Sequence, residues 1–99
     1  MKGHVDLLLL ATLQRGPLHG YGVVEELRAT SEGAFDLAEG TVYPALHRLE
    51  AAGLLASTWS TAAGRRRRTY RLTRRGRSKL ARERSEWRRF AQAMKEVVA

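Results

Sequence analysis

Cysteine is absent from this chain of 99 residues, and its absence excludes both a disulfide framework and a thiolate metal site. The histidines at positions 4, 19 and 47 are too scattered along the sequence to predict a metal site. The sequence also lacks a recognisable nucleophile and base pair, paired carboxylates and a phosphate-binding glycine loop. We therefore expect no metal, no other cofactor and no enzymatic activity.

Long hydrophobic runs are lacking as well. The apolar run DLLLLATL, at residues 6–13, is far shorter than the roughly 18 residues that a membrane span requires. Asp6, which precedes the apolar side chains of this run, and Gln14-Arg15 after it are not the flanks of a cleavable signal. We interpret the run as a buried helix of a cytoplasmic protein with no membrane partner.

Acidic charge is scarce in the second half of the chain. The net charge is +8; residues 1–56 carry four basic and seven acidic side chains, whereas residues 57–99 carry fourteen basic and three acidic ones. The second half is therefore expected to face a polyanion. Charge alone leaves nucleic acid, an anionic membrane surface and acidic proteins as alternatives.

Apolar periodicity predicts three short helices, over residues 4–14, 21–30 and 37–53. In the third helix apolar side chains recur at i, i+4 and i+7, and Gly53 is expected to end it in a left-handed conformation. The opposite face of this helix carries small, polar and basic side chains: Thr41, Pro44, Ala45, His47 and Arg48.

From Leu54 the pattern changes to a period of two, which is typical of strands. The segments LLASTWS (54–60) and RRTYRLT (67–73) predict two strands of a hairpin, with Gly64 supplying the positive backbone dihedral of the turn. Trp59 is expected to pack across the hairpin on Tyr70.

The arginine run at residues 65–68 continues the alternation of the second strand. Arg65 and Arg66, at or near the tip of the hairpin, and Arg67 are expected to contact nucleic acid. Arg68 lies on the other face of the strand, with Tyr70 and Leu72, and is expected to lay its stem over the domain.

Thr73 is a good N-cap, and the residues that follow predict one long helix over 74–98. This helix carries an apolar stripe: Leu80, Trp87, Phe90, Ala91, Met94, Val97 and Val98. A small domain cannot bury the whole stripe against its own core. A second copy of the chain is the natural cover, so we expect a homodimer whose interface contains these residues.

The predicted fold class is mainly α with a small β-hairpin, because the order helix, helix, helix, hairpin, helix is that of a winged helix-turn-helix. Residues 1–73 would form this DNA-binding domain and residues 74–99 the dimerisation helix. In such a fold the third helix enters the major groove and the basic hairpin, or wing, contacts the backbone or minor groove nearby.

The third helix has few basic residues with which to read bases. Thr41, His47 and Arg48 are the candidate base readers. The alternative is a solvated helix that contacts DNA through its N-terminal backbone amides and Thr41.

Three segments closely resemble the signature blocks of PadR-like transcriptional regulators: GPLHGYGVVEEL (16–27), EGTVYPALHRLEAAGLL (39–55) and GRRRRTYRLTRRGRSKL (64–80). The resemblance covers nearly the whole chain in the same order, and TVYPAL together with YRLT and a following glycine is quite specific. The short C-terminal segment resembles the smaller branch of that family, which keeps one dimerising helix and no separate effector domain.

The resemblance implies a bacterial homodimeric regulator, usually a repressor, that binds an inverted-repeat operator in double-stranded DNA and is released by a small molecule. It implies that Tyr43 and Pro44 lie near the DNA backbone. It also implies a wing tip formed by Gly64, Arg65, Arg66 and Arg67. Many relatives have Ser or Asn where this chain has Ala38, so either Asp36 caps the recognition helix or its first turn is looser.

Trp87 has two interpretations. It fills the dimer core, as aromatic residues in a helical stripe usually do, or it lines a gap between subunits in which similar short regulators stack flat aromatic effectors. His4, Leu7 and Ala11, on one face of the first helix, would then form the opposite wall.

The favoured function is a sequence-specific DNA-binding repressor that responds to a ligand. The alternative is a nonspecific nucleic-acid or nucleoid-binding basic protein, which the charge alone would allow. The two differ in the ratio of operator affinity to random-DNA affinity.

Overall fold

The computed structural model describes residues 4–99, without the side chain of Ala62. Within these residues the chain forms four helices and a three-stranded antiparallel sheet. In chain order they are α1 (Val5–Leu13), β1 (Leu18–His19), α2 (Gly20–Thr30), α3 (Glu39–Ala51), β2 (Leu55–Ala62), β3 (Arg65–Leu72) and α4 (Arg74–Val98). The predicted order of three helices, a hairpin and a long helix is confirmed.

The core lies between the first three helices and the base of the sheet. Leu9, Val23 and Leu46, from α1, α2 and α3, have no exposed surface. Tyr70 and Leu72 of β3 close the core from the other side. Burial of such apolar side chains is the main stabilising contribution in a domain without disulfides.

The β1 strand was not predicted from the sequence. Leu18 pairs with Tyr70 and His19 with Thr69, which gives the strand order β1-β3-β2. Two residues are too few to display an alternating pattern. This short strand ties the loop before α2 to the middle strand of the sheet.

The hairpin turn is tighter than predicted. Ala63 and Gly64 both have positive φ, 52° and 74°, as in the two-residue turns that suit the twist of a hairpin. The strands therefore extend to Ala62 and Arg65, and Arg66 lies within a strand.

The register of the hairpin corrects one prediction. Ser57 is opposite Tyr70, whereas Trp59 is opposite Arg68. Contrary to the expectation from the sequence, Trp59 is therefore not directly opposite Tyr70; instead the guanidinium carbon of Arg68 lies 5.6 Å from the ring centroid of Trp59 and 5.8 Å from that of Tyr70.

Helix α3 begins two residues later and ends two residues earlier than predicted. No side chain caps its first turn; instead the carbonyl of Ala38 accepts hydrogen bonds from the backbone N–H groups of Thr41 (2.9 Å) and Val42 (3.0 Å). Asp36, one of the two expected alternatives, does not cap the helix and lies 3.8 Å from Arg28. Gly53 follows the helix with φ 80°, as expected.

Helix α4 starts where the sequence predicts. The Thr73 hydroxyl accepts a hydrogen bond from the N–H of Gly76 (3.1 Å) and donates one to the carbonyl of Gly53 (2.7 Å). A Cβ at Gly76 would overlap the carbonyl of Leu54. Glycine is thus required where α4 crosses the end of the domain.

Leu80 corrects the predicted dimer stripe. It is 1% exposed and belongs to the core of its own chain, so it is not available to a second copy. Only the first turns of α4 are buried in this way, and a helix of 25 residues is about 37 Å long. None of the helices in the described part of the chain is both long and apolar enough to cross a membrane.

Candidate nucleic-acid interface

The open face of α3 carries Thr41, Pro44, His47 and Arg48, all exposed. Ala45, which the sequence pattern places on this face, is 5% exposed and packs in the core. The open face is therefore narrower than predicted. It lies along the first three turns of the helix, where recognition helices meet base edges.

Tyr43 is half-buried at the side of this face. Its ring lies against the first residue of α2, where a Cβ on Gly20 would overlap it. Burial, followed by the nearby Glu39 carboxylate, raises the pKa of Tyr43 above its ordinary value. The hydroxyl therefore stays protonated at neutral pH and is able to donate a hydrogen bond.

Arg48 is engaged within the chain. Its guanidinium donates two hydrogen bonds to the carboxylate of Asp6 in α1, at 2.8 and 2.9 Å. The hydrogen bond from Arg48 holds the pKa of Asp6 below its usual value, and the same pairing raises the pKa of Arg48. This partner was not predicted from the sequence because the two residues are 42 positions apart.

The pairing changes the charge that α3 presents. The Asp6 carboxylate neutralises the only arginine of the helix, so His47 is the remaining basic side chain of the open face. The pair also fixes α3 against α1.

The wing carries three exposed arginines, Arg65, Arg66 and Arg67, at the start of β3, directly after the exposed Gly64 of the turn. Strand alternation places the first and third on one face of the hairpin and Arg66 on the other. The side chains expected at the wing are thus brought together, but they do not point in one direction.

Arg68 ties the wing to α3. Its guanidinium donates to Glu50 Oε1 (2.9 Å) and to Ser57 Oγ (2.8 Å), and the Ser57 hydroxyl donates to Glu50 Oε2 (2.6 Å). The prediction that Arg68 lies over the domain is confirmed. Its charge is compensated, in contrast to those of the wing tip.

His4, Leu7, Ala11 and Trp87 line one cavity of about 310 Å³ between α1 and α4. The rings of His4 and Trp87 meet edge to face, with centroids 5.8 Å apart. Leu8, Arg84 and Phe35 also line it, and Phe35, from the loop before α3, was missed because its loop has no periodic pattern. A second cavity of about 420 Å³ on the other side of His4 and Trp87 includes Glu83 and Glu86.

The apolar face of α4 continues outward from this cavity. Its large side chains are exposed in the single chain: Trp87 45%, Phe90 54%, Met94 48%, Val97 86% and Val98 75%. Ala91 is half-buried among them. The exposed apolar patch is far more than scattered surface residues would produce.

Comparison with known proteins identifies a consistent set of relatives. The model of the transcriptional regulator PadR-like family matches residues 9–82. The transcriptional regulator Rv3488 of Mycobacterium tuberculosis is 41% identical over 83 residues, which are 84% of this chain and 75% of that protein.

Solved structures agree with this match. A PadR family transcription regulator from Clostridium difficile R20291 is 31% identical, with a TM-score of 0.85 over 98% of this chain and 100% of that one. Bacillus subtilis PadR in complex with operator DNA is 20% identical, with a TM-score of 0.72 over 78% of this chain and 44% of that one. At 20% identity, the similarity to Bacillus subtilis PadR shows a shared fold alone.

The Asp6 and Arg48 pair predicts a pH-dependent contribution to stability. Asp6→Asn should lower the free energy of unfolding at pH 7 by about 0.5 to 1 kcal/mol, since Arg48 is largely exposed and the pair is screened by solvent. Because folding lowers the pKa of Asp6, this contribution is present above the ordinary carboxyl pKa and is lost as the pH falls through the lowered value.

Thermal unfolding between pH 7 and pH 2 measures this effect. The curves of wild type and Asp6→Asn should converge at low pH. Asp36→Asn, whose carboxylate lies 3.8 Å from Arg28 on the surface, is the matched control and should show a smaller difference. A deficit of Asp6→Asn that stays constant down to pH 2 would contradict a role of the charge.

Proposed function

This chain belongs to the PadR-like family of transcriptional regulators, and from that premise we propose that it is a sequence-specific DNA-binding repressor. It would bind an inverted-repeat operator as a homodimer and respond to a small ligand. One observation carries the proposal: Arg68 hydrogen-bonds to Glu50 of α3 and to Ser57 of β2, and so connects the helix with the open face to the arginine-rich wing. Operator DNA in the complex of Bacillus subtilis PadR supports the same partner here.

The open face of α3 would enter the major groove. Thr41 and His47 are exposed where they would reach base edges, and the Tyr43 hydroxyl and Pro44 would lie at the backbone. Arg48 would contribute less than its charge suggests, because both of its terminal nitrogens bind Asp6. We assign it mainly the placement of α3.

The wing would contact the DNA next to the major groove. Arg65 and Arg67 have exposed guanidinium groups on a strand that projects past the core, so phosphate contacts would displace counterions there. Gly64 allows the sharp turn that keeps the wing tip thin.

A homodimer would cover the apolar face of α4 from Trp87 to Val98. The residues proposed for this interface are Trp87, Phe90, Ala91, Met94, Val97 and Val98, without Leu80. A twofold dimer presents two recognition helices related by symmetry. An inverted repeat is the DNA counterpart of that symmetry.

The cavity beside Trp87 would hold the effector. It is about 310 Å³, at the lower end of small-molecule pockets, and it opens next to the apolar face of α4. A ligand there would contact both the domain, through Leu7 and Ala11, and the helix that carries the dimer. Such a position couples ligand binding to the spacing of the two wings.

A nonspecific nucleic-acid or nucleoid-binding protein remains the second candidate, favoured by the concentration of basic residues after position 57. Selection of bound duplexes from a random-sequence pool separates the two. A repressor should recover a palindrome and prefer it over random DNA by roughly 10³-fold or more at physiological salt. Equal displacement by every competitor sequence would reject the repressor.

Replacing Arg65 and Arg67 with Ala should weaken binding to the selected palindrome and to random DNA alike. The slope of log affinity against log salt should fall by about one for each arginine that no longer binds a phosphate. Fluorescence anisotropy over a salt series measures it, with Arg28→Ala on α2 as the matched control. An unchanged slope would contradict the role of the wing.

Planar aromatic probes test the cavity. In a Trp59→Phe background Trp87 is the sole tryptophan; naphthoate, a planar anion, should quench it more than proflavine, a planar cation, because Arg84 lines the same cavity as Trp87. Palindrome affinity should change on saturation with naphthoate. Ala11→Leu, which fills the cavity, should abolish both effects; fluorescence that responds to neither probe would leave Trp87 as dimer core.

A further inference from the structure

Trp59 is a large aromatic side chain that the fold does not bury. It lies in β2, beyond the part of the sheet that covers the core, and is 57% exposed. Its neighbours in the core direction, such as Leu55, are buried. Burial in the core therefore does not account for an indole at this position.

Two arginines of β3 cover the indole. The guanidinium carbon of Arg66 lies 4.6 Å from the ring centroid of Trp59, and that of Arg68 lies 5.6 Å away. Both distances are within the range of cation–π attraction, which is strongest for tryptophan. Trp59 is opposite Arg68 and diagonal to Arg66 in the hairpin.

The stacked side chains of Arg66, Trp59 and Arg68 are anchored to α3, the proposed recognition helix. Arg68 binds Glu50 of α3 at 2.9 Å and Ser57 at 2.8 Å. The contacts therefore run without interruption from Glu50 through Arg68 and Trp59 to Arg66. Each link is a directional hydrogen bond or a ring contact. The guanidinium of Arg66 is therefore held in position relative to α3 and not only relative to its own strand.

Arg66 differs in this respect from its neighbours in the arginine run. Arg65 and Arg67 point to the opposite face of the hairpin, where no aromatic ring of the described residues covers them. In the described part of the chain the ion pairs of the wing involve Arg68 and not Arg66. Arg66 is thus a cation held in place but not neutralised.

We propose that Trp59 is a positioning residue that holds Arg66 in one orientation relative to α3, so that this guanidinium enters the DNA minor groove as a preformed contact. The inference rests on the proposed function. The arginines of the wing would then have two roles: Arg66 would make a preoriented contact in the minor groove, and Arg65 and Arg67 would contact phosphates. Because a narrow minor groove of A·T-rich DNA attracts arginine, Trp59 gives the wing a preference for A·T pairs beside each half-site.

The stack itself is testable without DNA. In a Trp87→Phe background Trp59 is the sole tryptophan. Arg66→Ala should increase quenching of Trp59 by acrylamide, since it uncovers one face of the ring. Arg65→Ala, on the other face of the hairpin, is the matched control and should leave quenching unchanged. Equal quenching in all three proteins would overturn the stack.

The DNA preference is measured with the selected palindrome carrying either A·T-only or G·C-only flanks. Wild type should favour the A·T flanks, and Trp59→Leu should reduce that preference by about 2- to 5-fold, the contribution expected of an exposed cation–π contact. Trp59→Phe should retain part of the preference, and Thr58→Ala, a neighbour on the other face, all of it. Circular dichroism melts verify that each variant folds.

The outcomes separate this inference from the function on which it rests. If the palindrome is bound no better than random DNA, the repressor itself is rejected. If the palindrome is preferred but Trp59→Leu keeps the flank preference, or loses affinity equally for both flanks as Arg65→Ala should, the positioning role of Trp59 is rejected and the repressor stands.

Discussion

The anchoring of α4 against its own domain is the interaction on which the rest of the structure depends. Gly76 lets the helix approach the carbonyl of Leu54, and Leu80 inserts into the core. These contacts fix the direction in which the remaining turns leave the domain. They also determine that Trp87 meets His4 over a cavity, while the apolar side chains further along α4 stay exposed in the single chain.

Charge near α3 is arranged by contacts within the chain. Asp6 binds Arg48 and Glu50 binds Arg68, so two arginines near this helix are neutralised internally. The arginines that remain uncompensated at the wing tip are those that project past the core. The location of the arginines without an acidic partner therefore tells more about where the chain would bind a polyanion than the net charge of +8 does.

Sequence patterns predicted the helices and the hairpin strands well, because the helical period and the two-residue strand period each depend only on residues close together in the chain. Alternation of the arginine run placed Arg68 towards the domain, and apolar spacing located all three short helices to within two residues. The two-residue β1 strand carried no such pattern, and the Asp6 partner of Arg48 lies in a distant helix. The register of Trp59 depended on a turn of two residues that the sequence alone did not define.

Leu80 illustrates a different limit. Heptad spacing shows that Leu80, Trp87 and Met94 share a helix face, but spacing does not tell which chain covers each one. Packing decides it: Leu80 is 1% exposed and Met94 48% in the same chain. The apolar surface that stays open is the strongest physical argument for a partner, since water contact with such a face is unfavourable.

The central claim is that two chains join through this face and so carry two recognition helices. Sedimentation equilibrium at micromolar concentration tests it most directly. We expect a mass of about twice 11.1 kDa for the wild type and a shift to a single folded chain for Met94→Lys. A wild-type mass of one chain would contradict the claim.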